Sequence, residues 1–594
     1  MSPRSIAVIV VATSALTIGL YGQSFTSATA TPASGQLRDL HSARAGSPQR
    51  EAVADNQTLT FYWGLKRNDT GAGALVREIS TPGSANYRHF LRPAQVANRF
   101  GATRTTVAAV KKYVARKGLV GTLDKSRVFM RVKGTAAQFT AAFGQPIEAI
   151  EVGGFTAYTT VNNPTLPPPI NRLVPAPGWV SQSQNPNAKG AHRPSILGSG
   201  QRSPLPLDEG TLHACAALKA VPFLDQTMTV AQAAHAYGMT NLQTRSSRAR
   251  GDVSTRAPIG VLAFGSGFSS ELLSEATRCY GVGGSAYRIE TDGMTAPLPS
   301  GPGEGDLDVQ IVLAGLAARH RIPVFETSEI DATWFLSPAA ALNSPNVPTV
   351  LTVSYGLCEA QINSYQNKTN NLMDAIFMRL DLVGTSVLVA SGDSGSSGCV
   401  NHDDGQGPEQ LAVSYPSTSP WVTAVGGTRI VLTKSNKRSA EYAWNDKPWG
   451  RIIAGGGGSS IFYRRPWWQS RKIAGNQRRA VPDISAHGST APGYPLVGAG
   501  QPQYFAEPYG GTSTSTPLTA TGIALINLKL AANGRPPLGF LNPWLYQLPR
   551  SATFDVIHGN NDLYNQGCCA AHSGYDKATG IGSPNFAKMF TDID

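Results

Sequence analysis

Val350-Leu351-Thr352-Val353-Ser354 and Ser386-Val387-Leu388-Val389-Ala390 are two short apolar runs, with a helix-like segment, Leu372–Leu382, between them. Continuous β-branched runs of this length read as strands buried on both faces. A strand, a helix and a second strand in that order predict a parallel pair. The same alternation extends outward on both sides. Ile259–Phe264 reads as a strand and Ser269–Tyr280 as the helix after it; Val309–Ala318 reads as helix and Trp421–Val425 as strand. The prediction is an α/β fold with a largely parallel sheet and helices on both faces. Chemistry in such sheets gathers at the carboxyl ends of the strands.

Ser391-Gly392-Asp393-Ser394-Gly395 stands directly behind the strand ending at Ala390. Asp393 there can stabilise a turn, or, when protonated, donate to a developing oxyanion. Gly-Asp-Ser-Gly also resembles chymotrypsin-type proteases with Ser394 as nucleophile, a reading that wants β-hairpins and a placed histidine. Glu304 and Asp308 are four residues apart and share a face if their segment is helical. Two carboxyls that close share a proton at acidic pH and can serve a serine as base and supporter; alone they are acids in a first helical turn. Ser513 lies in Gly510-Gly511-Thr512-Ser513-Thr514-Ser515-Thr516-Pro517, ahead of the apolar run Leu518–Ile526. That run reads as a buried helix, with the serines either capping it or presenting a nucleophile at its positive end. None of the ten histidines sits in a His-Gly-Thr-His context. A Ser-His-Asp hydrolase is therefore not recognisable, although triads are defined by geometry.

The 594 residues exceed one simple domain, and 41% hydrophobic with 15% charged residues describe a folded chain. A net charge of +13 can mean an anionic partner, but no Lys/Arg run has interleaved aromatics. Arg245–Arg250 holds three arginines and no aromatic and reads as a solvated loop, so no nucleic-acid partner is expected. Arg4, the apolar Ile6–Tyr21 and Ala28-Thr29-Ala30 read as a secretory signal over residues 1–30, or as a membrane anchor if uncleaved. Residues 31–175 form a smaller α+β unit with a strand at Thr58–Leu65, whose alternation lapses at Tyr62-Trp63. Its helices are read at Gly73–Ile79, Pro93–Phe100, Thr105–Lys117 and Ala136–Phe143, with a second strand at Val128–Val132. Residues 176–210 are rich in Pro, Gly, Ser, Asn and Gln and read as a cleavable linker; 211–594 form the large domain. Small domain, linker and large domain behind a signal predict a secreted zymogen or a plain two-domain protein. Six cysteines show no zinc spacing, and the adjacent Cys568 and Cys569 are expected to seek distant partners or stay free.

Together these pieces resemble the sedolisin family, the serine-carboxyl peptidases, in its kumamolisin-like branch. The resemblance spans about residues 57–594. It rests on Ser80–Phe90 in the small unit, on Gly511-Thr512-Ser513, on Glu304 with Asp308, and on Ser391–Gly395. Tyr415-Pro416 through Thr428 and Val481–Ser485 support it. It implies a subtilisin-like fold with an N-terminal activation domain. It makes Ser513 the nucleophile, Glu304 the general base, Asp308 its partner and Asp393 the oxyanion stabiliser, acting at acidic pH through an acyl-enzyme. It also implies a calcium ion held by the side chains of Asp555 and Asp576 and the carbonyls of Val556, His572 and Gly574. His572 departs from the family's usual glycine. A further departure, His487–Thr490 after Pro482-Asp483, affects a loop. Cys358 is expected to bond Cys399, because each follows a strand expected beside the other.

The expected protein is thus a serine-type endopeptidase acting on proteins or peptides, with its own pro-domain as inhibitor. It is expected as a monomer, secreted or anchored through residues 1–30. Its rivals are a catalytically silent exported binding protein of the same fold and a tripeptide-releasing exopeptidase.

Overall fold

The computed structural model describes residues 50–152, 155–160, 162, 164–175, 182–184, 227–243, 258–291, 303–317, 319–327, 333–360, 369–402, 405–470, 477–498 and 505–593. The signal-like segment and the linker lie outside the described residues, apart from 182–184.

The small unit is built on an antiparallel sheet. Strand β1 (Thr58–Gly64) is followed by helices α1 (Asp69–Ser80), α2 (Pro93–Phe100) and α3 (Arg104–Arg116), then β2 (Val120–Leu123), β3 (Phe129–Thr135) and α4 (Ala136–Phe143). β3 lies between the other two strands. Local chemistry sets the helix ends. α2 starts on Pro93, whose missing N–H costs nothing at a first position. α4 opens with a Thr135–Gln138 capping box and closes on Gly144 in the left-handed region. Along β1, Leu59, Phe61 and Trp63 face the unit's own core with Phe139 and Phe143. Tyr62 points the other way, its ring 5.7 Å from Phe335 of the large unit. The lapse in alternation at Tyr62-Trp63 follows: both faces of β1 are covered there.

In the large unit, β4 (Gly260–Phe264), α5 (Ser270–Tyr280), β5 (Ser285–Glu290), α6 (Glu304–Leu316), β6 (Arg321–Thr327), α7 (Leu336–Asn343), β7 (Val350–Val353), α8 (Thr369–Leu382) and β8 (Ser386–Ala390) alternate, with β5, β6 and α7 added to the elements read from the sequence. They are followed by β9 (Thr423–Leu432), β10 (Arg438–Ala443), β11 (Ile484–His487) and the long α9 (Thr512–Ala532). The sheet order is β10-β9-β8-β7-β4-β6-β5, with β11 also on β9. Only β10 runs antiparallel. β7 and β8 pair in parallel with Val350 opposite Ser386 and Val353 opposite Val389, the pairing predicted from the sequence. β6 was not legible in sequence, because Arg321 and Pro323 break its apolar run. It lies between β4 and β5 and pairs in parallel with both. α9 packs over α6 and across β7, β8, β9 and β11.

The two units share one apolar cluster. Val76, Phe100 and Phe129 of the small unit are buried with Phe335, Leu336 and Phe377 of the large one. Arg379 of α8 is fully buried between Asp69, at 3.0 Å, and the Phe100 carbonyl, at 2.9 Å. Among the described residues, no helix is long and apolar enough to cross a membrane.

Candidate active site

α9 begins at Thr512, so Ser513 occupies its first turn and Pro517 lies inside the helix, a turn deeper than the sequence reading placed it. Gly511 precedes the helix with φ 108°, a conformation open to glycine alone at low cost. Pro517 has no N–H to give to the Ser513 carbonyl, the usual fourth-neighbour partner. That carbonyl faces the Ser354 hydroxyl at 3.3 Å. The Ser513 hydroxyl in turn donates to the Ser354 carbonyl at 3.4 Å. Ser354 is the residue just past β7, so the helix start is docked on a strand's carboxyl end.

α6 begins at Glu304, five residues ahead of the apolar run from which the sequence reading started it. Glu304 and Asp308 therefore share a face one turn apart, and both are buried. Gly305 is needed for this: a Cβ there would strike the Gly267 carbonyl. Its N–H donates to Ser266 Oγ at 3.1 Å, and Ser266 Oγ lies 2.5 Å from the Tyr355 hydroxyl. Asp306 accepts from the Ser269 N–H at 2.7 Å. The Ser354 hydroxyl donates to Asp308 Oδ1 at 2.6 Å. Glu304 Oε1 and Asp308 Oδ2 are buried without a hydrogen-bond partner.

The electrostatics follow from this burial. Desolvation pushes the Glu304 carboxyl well above the usual range, and the charge of Asp308, then of Asp393, pushes it further; hydrogen bonding from Ser513 opposes them. Desolvation also pushes Asp308 well up, against the Ser354 hydrogen bond. The helix dipole favours an anion at this end by about 0.3–1 kcal/mol. Burying two adjacent carboxylates costs more, so both carboxyls are displaced toward the protonated form.

Asp393 lies three residues beyond β8. Its Oδ1 accepts from the Thr512 N–H at 2.7 Å and the Thr512 hydroxyl at 2.8 Å, which places it beside Ser513 in the chain of α9. The competing serines point elsewhere. Ser394 Oγ donates to the Val400 carbonyl at 2.6 Å, and Ser515 Oγ to the Ala486 carbonyl at 2.9 Å. Among the described residues no histidine hydrogen-bonds Ser513. Buried His487 accepts from the Ile430 N–H at 3.2 Å, and burial pushes it down to about 4. Sequence reasoning missed Ser266, Ser354, Tyr355 and Thr512. Thr512 adjoins Ser513 and Ser354 ends a run read as a strand, which are the available signals.

Residues 45–176 match the family described as "Pro-kumamolisin, activation domain", and residues 322–534 match the subtilase family. The chain is 34% identical to kumamolisin of Bacillus sp. over 340 residues, a match spanning 55% of this chain and 58% of that protein. It is 28% identical to sedolisin of Pseudomonas sp. over 563 residues, 92% of this chain and 89% of that one. A solved structure of Pseudomonas sedolisin, a serine-carboxyl proteinase, aligns with TM-score 0.53 and 27% identity over 62% of this chain and 98% of that chain. Over most of its length the chain is similar to sedolisin.

In this chain the C-terminal segment forms an oxygen-rich turn. Asp576 is buried and accepts from the N–H groups of His572, Ala578 and Thr579 at 3.0, 2.9 and 2.7 Å. Asp555 accepts from the Gly574 N–H at 2.9 Å. Among the described residues, the carbonyls of Val556, His572 and Gly574 accept no hydrogen bond, and Val556 is fully buried. Two carboxylates with free carbonyl oxygens in irregular backbone fit a hard cation such as calcium. No three His, Cys, Asp or Glu side chains cluster as metal ligands among the described residues.

Cys358 and Cys399 are disulfide-bonded, with Cα atoms 4.8 Å apart. The expectation for Cys568 and Cys569 is overturned: they bond each other. The sequence reading lacked the turn that holds them. Cys569 exchanges two hydrogen bonds with Asn561, its N–H to Asn561 Oδ1 at 3.0 Å and its carbonyl from the Asn561 N–H at 3.1 Å.

Proposed function

We propose that this chain is a secreted serine-carboxyl peptidase made as a zymogen, with residues 1–30 as signal, 31–175 as inhibitory pro-domain and 176–210 as the cleaved linker. The observation that carries the reading is the gathering of Ser513, Glu304, Asp308 and Asp393 at the carboxyl ends of β7 and β8, with no histidine hydrogen-bonded to Ser513 among the described residues. Ser513 Oγ attacks a peptide carbonyl while its proton passes to Glu304. Asp308 holds Glu304 and stabilises the proton there. The carbonyl oxygen becomes an oxyanion, which protonated Asp393 meets with a hydrogen bond. Glu304 returns the proton to the leaving amine, an acyl-enzyme forms, and water, deprotonated by Glu304, releases the acid. Acidic pH is required because Asp393 donates only when protonated. Acidifying purified full-length chain tests the reading. Pro-domain release and peptide cleavage are expected near pH 4 and not at pH 8; the opposite preference would overturn it.

Calcium is proposed as the resident ion, held by the side chains of Asp555 and Asp576 and the carbonyls of Val556, His572 and Gly574. It would supply charge that ties the segment around residue 555 to that around 574. Chelation is expected to lower the melting temperature by roughly 5–10 °C, reversibly on adding calcium. A melting temperature unmoved by chelation would count against the ion.

A further inference from the structure

Asn561 takes no part in the chemistry above, yet it is fully buried and joins three segments. Its Nδ2 donates to the Gly455 carbonyl at 2.8 Å, and its Oδ1 accepts from the Cys569 N–H at 3.0 Å. Its own carbonyl accepts from the Ser396 N–H at 3.1 Å. The residues on either side of Gly455 hold the backbone of Asp393. Ala454 N–H donates to the Asp393 carbonyl at 2.9 Å, and Gly456 N–H to the Gly392 carbonyl at 2.7 Å. Gly395 N–H returns to the Ala454 carbonyl at 2.9 Å, and Ser391 Oγ donates to the Gly456 carbonyl at 2.6 Å. The packing has no slack. A Cβ on Gly395 would strike the Asn561 carbonyl, and one on Gly456 the Ser391 carbonyl.

We infer that Asn561 is a positioning residue for Asp393, an inference that rests on the peptidase reading above. Thr512 fixes the Asp393 carboxyl from the α9 side. Asn561 fixes its main chain from the other side, by pinning the 454–456 strip on which residues 392–395 are laid. Oxyanion stabilisation depends on donor placement within a fraction of an ångström. Loosening Asn561 therefore costs transition-state binding and leaves substrate binding alone. The vicinal disulfide closes the turn that supplies Cys569 to Asn561, so its state bears on the same geometry.

Asn561→Ala tests this, since it removes both the donor to Gly455 and the acceptor facing Cys569. Activated full-length protein is assayed at acidic pH with an internally quenched peptide, and with a peptide aldehyde and the matching product peptide as inhibitors. The aldehyde adds to Ser513 and places an oxyanion-like oxygen at Asp393; the product peptide binds without a covalent bond. The expected result is a roughly ten- to hundredfold fall in kcat with KM within about twofold. Aldehyde affinity should fall in step and product-peptide affinity should stay. An unchanged kcat, or parallel weakening of both inhibitors, overturns the inference. If Asn561→Ala does not fold, the Cys568→Ser/Cys569→Ser double variant is read the same way. It should show a smaller fall with the same selectivity for the aldehyde, and no selectivity overturns the inference. Wild-type protein without Ser513-dependent cleavage sinks the peptidase reading and this inference with it. Active wild type with an indifferent Asn561→Ala sinks this inference alone.

Discussion

Ser513→Ala is expected to yield a folded chain that keeps its pro-domain attached after acidification, while wild type releases it. Ser513 is the second residue of α9, and its hydroxyl makes a long hydrogen bond, 3.4 Å to the Ser354 carbonyl, besides facing the Glu304 carboxyl. Removing the oxygen therefore costs little stability, on the order of 0.5 kcal/mol. Removing the nucleophile costs roughly 10⁶-fold in kcat, as when one member of a concerted catalytic set is lost. The large kinetic effect beside a small stability effect separates catalysis from folding. Gel and mass analysis of the acidified chain, with thermal unfolding alongside, gives both numbers. Equal self-processing in wild type and variant would remove Ser513 from the mechanism.

Glu304→Gln is expected to lower kcat by roughly 10²–10⁴-fold and to change how stability depends on pH. The sign follows from the carboxyl's displacement. Burial and Asp308 raise its folded-state pKa above the value in the unfolded chain. Folding then retains a proton that the unfolded chain gives up. The contribution is fully present below the unfolded value, and stability is lost as pH rises from there toward the folded value. Asp308, Asp374, pushed up to about 6, and Glu326, pushed up to about 7, act in the same direction. His487, pushed down to about 4 from 6.5, acts the other way between those two values. Asp124, Glu359, Asp381 and Asp576 are raised by burial as well, and His320 is lowered with His487; the raised carboxyls outnumber the lowered imidazoles and make wild type less stable at pH 7 than at pH 4. Glutamine at 304 keeps the shape and removes one titration, so its melting temperature should fall less over that interval. A slope identical to wild type would mean that Glu304 is not held in the state its burial implies.

The pro-domain contact bears on how such a site is kept silent. Asp69 and the Phe100 carbonyl both reach Arg379, and Tyr62 meets Phe335 at the centre of a shared apolar cluster. This contact is packed like a protein interior. Cutting the linker leaves it in place, so separation requires a change in solvent conditions as well as a cut chain.

What the sequence by itself determined was whatever local chemistry decides. Ser386–Ala390 forms the strand predicted, because five consecutive apolar or small residues have no amphipathic alternative. The Pro93–Phe100 and Ala136–Phe143 helices end where proline, a capping box and a left-handed glycine dictate. Asp393 stands past its strand because the chain runs straight into the turn. Tertiary structure decided the rest, since burial is set by distant segments. Glu304, Gly305 and Asp306 look like exposed first-turn residues, yet Gly267, Ser266 and Ser269 cover them and turn an ordinary acidic pair into one whose carboxyls burial pushes up. Pro323 argues against a strand until two parallel neighbours enclose it. Cys568 and Cys569 bond each other because Asn561 folds the turn around them. Ser354, which joins Asp308 to the Ser513 carbonyl, is simply the last residue of a strand until α9 is laid across it.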